Sequence, residues 1–447
     1  MIDKTREIAL KILYKIDKEK AYSNIALDEL INENRKILDE RDIGLISEIV
    51  YGTTTWRLTL DEIIKKYSNI KLKKISPWII NILRMGIYQI VFLDKIPKSA
   101  AVNESVNLAK RYGHKSSSNF VNAILRKVEY KDYEEFFKIK NDVERISKTR
   151  SMPIWIIEEL LKDNNIEQVD EICKNSNLKP QLCIRINKLK TTKEKLKEML
   201  KKDNIEVEDG VIEDFLILKK VRNIEKVQAF QKGFFTVQDE AAGLIPRILN
   251  PKQGEKILDA CSSPGGKTTY MAEIINDNGE ILAFDIHEHR VELVKKVAQR
   301  LEISSIKTKV QDSTIFEEEY VKCFDKILLD VPCLGIGVLK RKPDIKWQRD
   351  KDSIKEITDL QYKILEVNSK YLKIGGELVY STCSIFKEEN EDIINKFLKN
   401  NENFEIVKIK KIEEKYFEKF IKKEKYIQVY QNEKTDGFFI CKLRKTQ

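Results

Sequence analysis

The sequence predicts a multidomain chain with an all-α domain over residues 1–140, a small α+β module over 141–236 and a doubly wound α/β domain over 237–447. Three observations carry this. Apolar residues recur at helical spacing through most of the first 130 residues. From about 255, short apolar runs alternate with helical stretches, the pattern of a mostly parallel sheet. Between them lies a stretch of mixed texture, with short strand-like runs around a Lys-rich helix.

In the first part, Ile8, Ile12, Leu13 and Ile16 mark one helical face, and Ile79, Ile82, Leu83 and Ile90 another. Breaks fall near Asn32–Asn34, Tyr67–Lys74 and Ile96–Ser99. Ser76-Pro77 is a helix start, with serine as cap and proline in the first turn. Residues 131–150 are charged and weakly periodic and read as a linker. In the second part a helix from Pro153 leads to the strand QLCIRIN, a helix over 192–202, and short strands near Glu206–Val207 and Phe215–Leu218. In the third, the strands are KILDA, ILAFD, KTKV, KILLD and ELVYS, and GFFICKL reads as a late antiparallel edge strand.

The 447 residues are 42% hydrophobic and 34% charged, a globular balance that excludes a disordered chain. The N-terminus reads as an amphipathic helix rather than a signal peptide, and no apolar run is long enough to span a bilayer. Cytoplasm is the expected compartment, and a monomer the default. The net charge is +10, and residues 1–140 hold 26 basic against 19 acidic side chains, so most of the excess lies there. That favours a polyanion such as RNA as partner, against the plainer reading of a solvated basic surface. Seven cysteines without a C-x-x-C pair argue against zinc, iron–sulfur or a disulfide framework. His287 and His289 open a polar helix and read as solvated, so no metal is expected.

Ligands of such sheets bind at the carboxyl ends of the strands. The first strand ends KILDACSSPGGKTT, where Gly265 and Gly266 allow a tight turn into a helix N-terminus. It is not a P-loop, because Cys261 stands where that motif needs its first glycine, and G-x-G-x-x-G is absent. Asp285 ends the second strand, placed for ribose hydroxyls. Asp312 follows the third, placed for an adenine amine, and Asp330 ends the fourth. Any one aspartate is an ordinary cap or turn residue. The ordered set, with a ribose and an adenine site and no phosphate site, points to S-adenosyl-L-methionine. Two cysteines also follow strands, Cys333 in LLDVPCLG and Cys383 in YSTCSI, and local chemistry does not choose between them. Buried, inert thiols are the plain alternative.

CSSPGGKTT, FDIHEHR, LLDVPCLGIGVLKRKPDIKW and LVYSTCSI resemble the motifs of the Nol1/Nop2/Sun family of RNA cytosine-C5 methyltransferases. VYGTTTWRLTLDEII, AVNESVNLAKRYG and NFVNAILRK resemble a NusB-like RNA-binding domain. Together they have the layout of bacterial members that act on small-subunit rRNA. The resemblance implies a Rossmann-like methyltransferase domain and an RNA substrate. It implies that Cys261, Ser262, Ser263, Pro264, Gly265, Gly266, Lys267, Asp285, Asp312 and Asp330 bind S-adenosyl-L-methionine. It makes Cys383, of the Thr-Cys pair, the nucleophile on C6 of cytosine, and Cys333, of the Pro-Cys pair, the residue that assists release. Asp330, if protonated, is a candidate donor to N3 of the base. The sequence departs from the family in Leu334 after the Pro-Cys pair and in Ser262 and Ser263. Lys340, Arg341 and Lys342 suit phosphate contacts, or form an ordinary basic loop. The implied substrate is 16S rRNA or an early small-subunit particle; tRNA, or a non-catalytic role in ribosome assembly, are the alternatives.

Overall fold

The computed structural model describes residues 3–221, 223–409, 412 and 415–447. The three stretches of sequence resolve into two compact units, 1–178 with 339–351, and 179–338 with 352–447. Residues 141–178 thus cluster with the helices, and 179–236 with the large sheet.

The first unit is helical. Its helix Pro77–Phe92 is buried on nearly every side, which fits its continuous apolar sequence. Ser76 accepts from Ile79 N–H at 3.4 Å and Pro77 occupies the first turn, as the sequence predicts. The buried Arg84 on this helix is satisfied by both oxygens of Asp61, at 2.7 and 2.8 Å. Residues 131–150 are not a linker. They form the turns Lys131–Glu134 and Glu135–Lys138 and the helix Asp142–Arg150. Long-range polar pairs hold them: Lys66 and Tyr67 both donate to Asp132 at 2.8 Å, and Tyr133 Oη donates to Thr149 O at 3.0 Å. Such partners lie far off in sequence and leave no periodic signal.

Residues 339–351 belong to this unit although they lie between two strands of the other in sequence. Lys346 is fully buried there, and Nζ donates to Thr55 O, Ser151 O and Asn177 Oδ1 at 3.1, 3.2 and 2.9 Å. Burial pulls its amine down to about 7. Trp347 Nε1 donates to Thr54 O at 2.7 Å, and Ser23 donates to Asp344. Of the three basic residues at the head of this segment, Lys340 is buried, Arg341 half-buried and Lys342 exposed.

The second unit holds two sheets. Strands β1 (Leu182–Ile186), β2 (Glu206–Asp209), β3 (Phe215–Lys219) and β4 (Phe235–Val237) form an antiparallel sheet in the order β2-β3-β1-β4. Strands β5 (Lys256–Asp259), β6 (Glu280–Asp285), β7 (Ile306–Val310), β8 (Phe324–Asp330) and β9 (Leu372–Thr382) pair in parallel in the order β9-β8-β5-β6-β7. Four short antiparallel strands extend it: β10 (Phe404–Ile406), β11 (Ile421–Lys422), β12 (Tyr426–Val429) and β13 (Phe438–Lys445). The central strands β5, β8 and β9 run apolar toward their carboxyl ends because both faces are covered, whereas β7, at the end of the sheet, reads IKTKV and is half-exposed. Ile257, Leu328 and Val379 enter one core, and Leu258, Ile327, Leu329, Leu378 and Tyr380 the other. Strand β13 is antiparallel, as the sequence predicts, but it is not an edge. It lies between β9 on one side and β12 and β10 on the other. Phe438, Phe439, Ile440, Cys441 and Leu443 are all buried, which one packed face alone would not require.

The helix that starts at Glu288 has His287 as its cap residue, and no group able to hold a metal occurs among the described residues. No described helix is long and apolar enough to cross a membrane.

Arg185 on β1 ties the small sheet to the turn beyond β5. It is fully buried and pairs with both oxygens of Glu273 at 3.0 and 2.8 Å. It also donates to Gly266 O at 2.6 Å and to Thr269 Oγ1 at 3.0 Å, and its guanidinium lies 4.6 Å from the Tyr270 ring centre.

Two stability predictions arise here. A Cβ on Gly52 would lie 1.9 Å from Tyr88 Cζ, and Tyr88 Oη is held on Glu48 at 2.8 Å. Alanine is the better helix former by about 1 kcal/mol, but overpacking costs about 1–3 kcal/mol and wins. Gly52→Ala should lower the urea midpoint followed by tryptophan fluorescence, because all four tryptophans lie in the helical unit; a raised midpoint contradicts this. Arg185→Met should cost about 3–5 kcal/mol in calorimetric unfolding by stranding Glu273. Adding Glu273→Gln should recover part of that loss, and strict additivity would contradict the pairing.

Candidate active site

The chain order reverses between β5 and β8, so the crevice beyond their carboxyl ends is the place for a ligand. The loops and strand ends named from the sequence gather there. The turn after β5 is pinned by Ser262, whose N–H and Oγ both bond Phe284 O of β6, at 2.9 and 2.8 Å. Ser262 O accepts from Gly265 N–H at 2.8 Å. Gly265 has φ +102°, in the left-handed region, and a Cβ there would lie 3.2 Å from Val294 Cα. Glycine meets both demands. The helix Gly266–Ile274 begins at this turn.

Asp285 and Asp312 lie at and just past the ends of the paired strands β6 and β7, where Gln311 N–H donates to Asp285 O at 3.0 Å. Asp285 is buried and accepts from His287 N–H at 3.3 Å, and Arg290 lies 3.5 Å from it. Thr314 fixes Asp312 by N–H and hydroxyl, at 2.8 and 2.7 Å. Cys261 registers the convergence of these groups. Burial pushes its thiol well up, and the charges of Asp259, Asp330 and Asp285 push it further. A glycine turn, hydroxyl-seeking carboxylates and no phosphate cradle fit a nucleoside with a sulfonium side chain.

Lys267, expected in the cofactor turn, meets Asp330 of the same expected set. Its Nζ bonds Asp330 Oδ2 at 2.6 Å and lies 5.4 Å from the Phe438 ring centre. Burial opposes its charge, but attraction to Asp330, that hydrogen bond and the nearby Cys383 sulfur outweigh it and hold the ammonium above its ordinary range. The other oxygen of Asp330 accepts from Ser381 Oγ at 2.9 Å. Asp259, one strand over, was not singled out by sequence. Burial pushes its carboxyl up to about 7, against a hydrogen bond from Thr268 at 2.7 Å.

The two cysteines meet. Cys333 Sγ and Cys383 Sγ are 2.7 Å apart, and both are free thiols. Three segments close around them: Gly337 N–H donates to Cys383 O at 2.9 Å, and Gly437 N–H to Gly337 O at 2.7 Å. A Cβ on Gly337 would lie 2.2 Å from Gly437 O and 2.6 Å from Cys383 O, so this approach needs glycine. Contact with Cys383, then burial, then the charges of Cys383, Glu389 and Asp330 hold the Cys333 thiol well above its ordinary range. Leu334, the departure from the family pattern, is buried and engages this framework through its N–H. Sequence reasoning missed Ser381, Gln361 and Glu389, whose side chains each find at least one partner far off in sequence. A weak signal existed for Ser381, which alternates with Tyr380 at the end of an apolar strand.

Residues 246–444 match the family described as 16S rRNA methyltransferase RsmB/F. Residues 3–130 match the NusB family, and 152–225 the ferredoxin-like domain of RsmF/B-like methyltransferases. A probable ribosomal RNA small subunit methyltransferase B of Bacillus subtilis is 35% identical over 446 residues, covering 98% of each chain. The crystal structure of PH0851 aligns with a TM-score of 0.80 at 26% identity, covering 99% of both chains. The structure of NSun6 from Pyrococcus horikoshii with SFG has a TM-score of 0.59 at 23% identity, covering 67% of this chain and 99% of that one, a likeness of fold. With the relative matched from end to end and the site assembled from the motifs that pointed to it, the chain belongs to the RsmB/F family of small-subunit rRNA methyltransferases.

Proposed function

We propose that the chain methylates C5 of a cytosine in 16S rRNA, with Cys383 as nucleophile and Cys333 as the group that assists release. The observation that carries this is the meeting of the two thiols beside the Lys267–Asp330 pair. Methylation at a ring nitrogen or a ribose oxygen needs no thiol. C5 of cytosine does, because it becomes nucleophilic only after a thiolate adds to C6. S-adenosyl-L-methionine, when bound by the turn 261–266 with Asp285 and Asp312, supplies an electrophilic methyl group.

Cys383 is assigned the attack because it holds the Thr-Cys position of the family motif, and Cys333, of the Pro-Cys pair, faces its sulfur at 2.7 Å. Addition of that sulfur to C6 pushes charge toward N3 and O2 of the base. The donor role considered for Asp330 passes to Lys267, because both Asp330 oxygens already accept hydrogen bonds. Asp330 is then placed to accept from the exocyclic amine. After C5 gains the methyl group its proton passes to a solvent water, the C–H electron pair re-forms the C5–C6 double bond, and the C6–S bond breaks with its pair returning to the Cys383 sulfur. The Cys333 S–H, facing that sulfur, stabilises it as it leaves. The base must first leave its stack to reach this point.

The helical unit supplies the grip on RNA. Lys71, Lys73 and Lys74 stand exposed in one short loop and suit phosphate contacts. A tRNA target would use the same chemistry, and bisulfite sequencing of both RNAs with and without the gene decides between them. A non-catalytic assembly role leaves the thiol pair and the Lys267–Asp330 pair without purpose.

Cys383→Ala should abolish methyl transfer and form no covalent species, whereas Cys333→Ala should accumulate a protein–RNA adduct stable on a denaturing gel. Turnover by Cys383→Ala would reverse the assignment. Replacing Lys71, Lys73 and Lys74 together by Gln should reduce the slope of log K against log salt by about 2, for three lost contacts to single-stranded RNA. An unchanged slope would place the RNA elsewhere.

A further inference from the structure

Glu389 closes the turn Lys387–Glu389, six residues beyond Cys383, and is fully buried. A buried carboxyl must be matched by donors, and here three reach it. Leu334 N–H donates to Oε2 at 2.9 Å, and so does Gln361 Nε2 at 2.9 Å. The Ser384 hydroxyl donates to Oε1. Leu334 directly follows Cys333, and Ser384 directly follows Cys383. Gln361 also donates to Pro332 O at 3.0 Å, so both neighbours of Cys333 are held by the Gln361–Glu389 pair. The turn itself is fixed by Tyr380 Oη, which donates to Glu389 O at 2.7 Å, and by Asn390, which accepts from Thr382 Oγ1 at 2.6 Å.

We infer that Glu389 is a positioning residue: its carboxylate clamps the two cysteine-bearing loops together and sets the distance and charge state of the thiol pair. The inference rests on the reading that Cys383 attacks C6. One carboxyl offers an oxygen to each loop at the residue next to its cysteine, Oε2 to Leu334 and Oε1 to Ser384, in addition to the backbone bond from Gly337 N–H to Cys383 O. Its charge also bears on Cys333, whose proton it helps to retain. The other titratable groups around it are Tyr380, Cys333, Cys383 and Glu388, with Asp330 and Lys267 beyond them. Burial holds the Glu389 carboxyl above its ordinary range, and the bonds from Ser384, Leu334 and Gln361 offset only part of that rise.

The test uses the full chain with RNA carrying 5-fluorocytidine, whose fluorine cannot leave as the C5 proton does, so the covalent adduct stalls. Glu389→Gln keeps the shape and removes the charge. It should lower kcat about tenfold or more and slow adduct capture equally, with KM for RNA within about twofold of wild type. In a Cys383→Ser background, alkylation of Cys333 should move to lower pH when Glu389→Gln is added, a shift a purely structural role would not give. Ser384→Ala removes one arm of the clamp and leaves the charge. It should lower kcat without moving the Cys333 profile, and it carries the test if the Glu389 variants do not fold. Wild-type kcat in Glu389→Gln or in Ser384→Ala, or a fall in Glu389→Gln without the alkylation shift, overturns the inference. If the wild-type chain itself captures no 5-fluorocytidine RNA, the reading of Cys383 falls, and this inference with it.

Discussion

The site depends on the parallel pairing of β8 with β9. Their register sets Leu329 opposite Tyr380 and Asp330 opposite Ser381, and Val331 N–H continues it to Ser381 O at 3.1 Å. Both strands are buried on two faces, so a slip of one residue would turn apolar side chains into the wrong layer. That constraint fixes where each chain leaves the sheet. Two residues past Asp330 the first chain reaches Pro332-Cys333, and past Ser381 the second reaches Thr382-Cys383. Neither loop could be moved without moving its strand. The Gly337–Gly437 contact then locks β13 against the same point.

The electrostatics follow from the same geometry. Burial alone would discharge Lys267 and protonate the carboxylates near it. Pairing reverses this for Lys267, where Asp330 wins over burial, but not for Asp259, whose hydrogen bond from Thr268 is too little. Cys261 and Cys333 are both held as thiols, by burial and by nearby negative charge. The crevice therefore keeps one ammonium and mostly protonated sulfur at the point where a base would enter. On the proposed reading, charge developing on a cytosine there would meet a fixed donor instead of reorganising water.

Much of this was legible in the sequence, and for a physical reason. Parallel strands buried on both faces are unbroken apolar runs, so their ends, and the polar residues just beyond them, stand out. That is how Asp285, Asp330, Cys333 and Cys383 could be named in order, whereas Asp312 follows the half-exposed strand β7 and is placed by the strand–helix alternation. What stayed hidden depends on partners distant in sequence. Arg185 reads as one charge in a strand, yet it holds the first turn after β5. Glu389 reads as one acid among several, yet it joins two loops. Lys346 sits in a basic stretch that suggests solvent or RNA, and instead it is buried among three acceptors. The charged stretch 131–150 reads as a linker because much of its order comes from ion pairs with distant residues. Strand β13 was mistaken for an edge because late strands have no downstream neighbour in sequence, while its neighbour β12 precedes it.

The account stands on which sulfur bonds to the base. The direct measurement is peptide mass spectrometry of the adduct trapped by the wild-type chain on 5-fluorocytidine-substituted 16S rRNA with S-adenosyl-L-methionine. The account predicts a nucleotide remnant, carrying the transferred methyl group, on the peptide that contains Cys383. The same remnant on the peptide that contains Cys333 would contradict it.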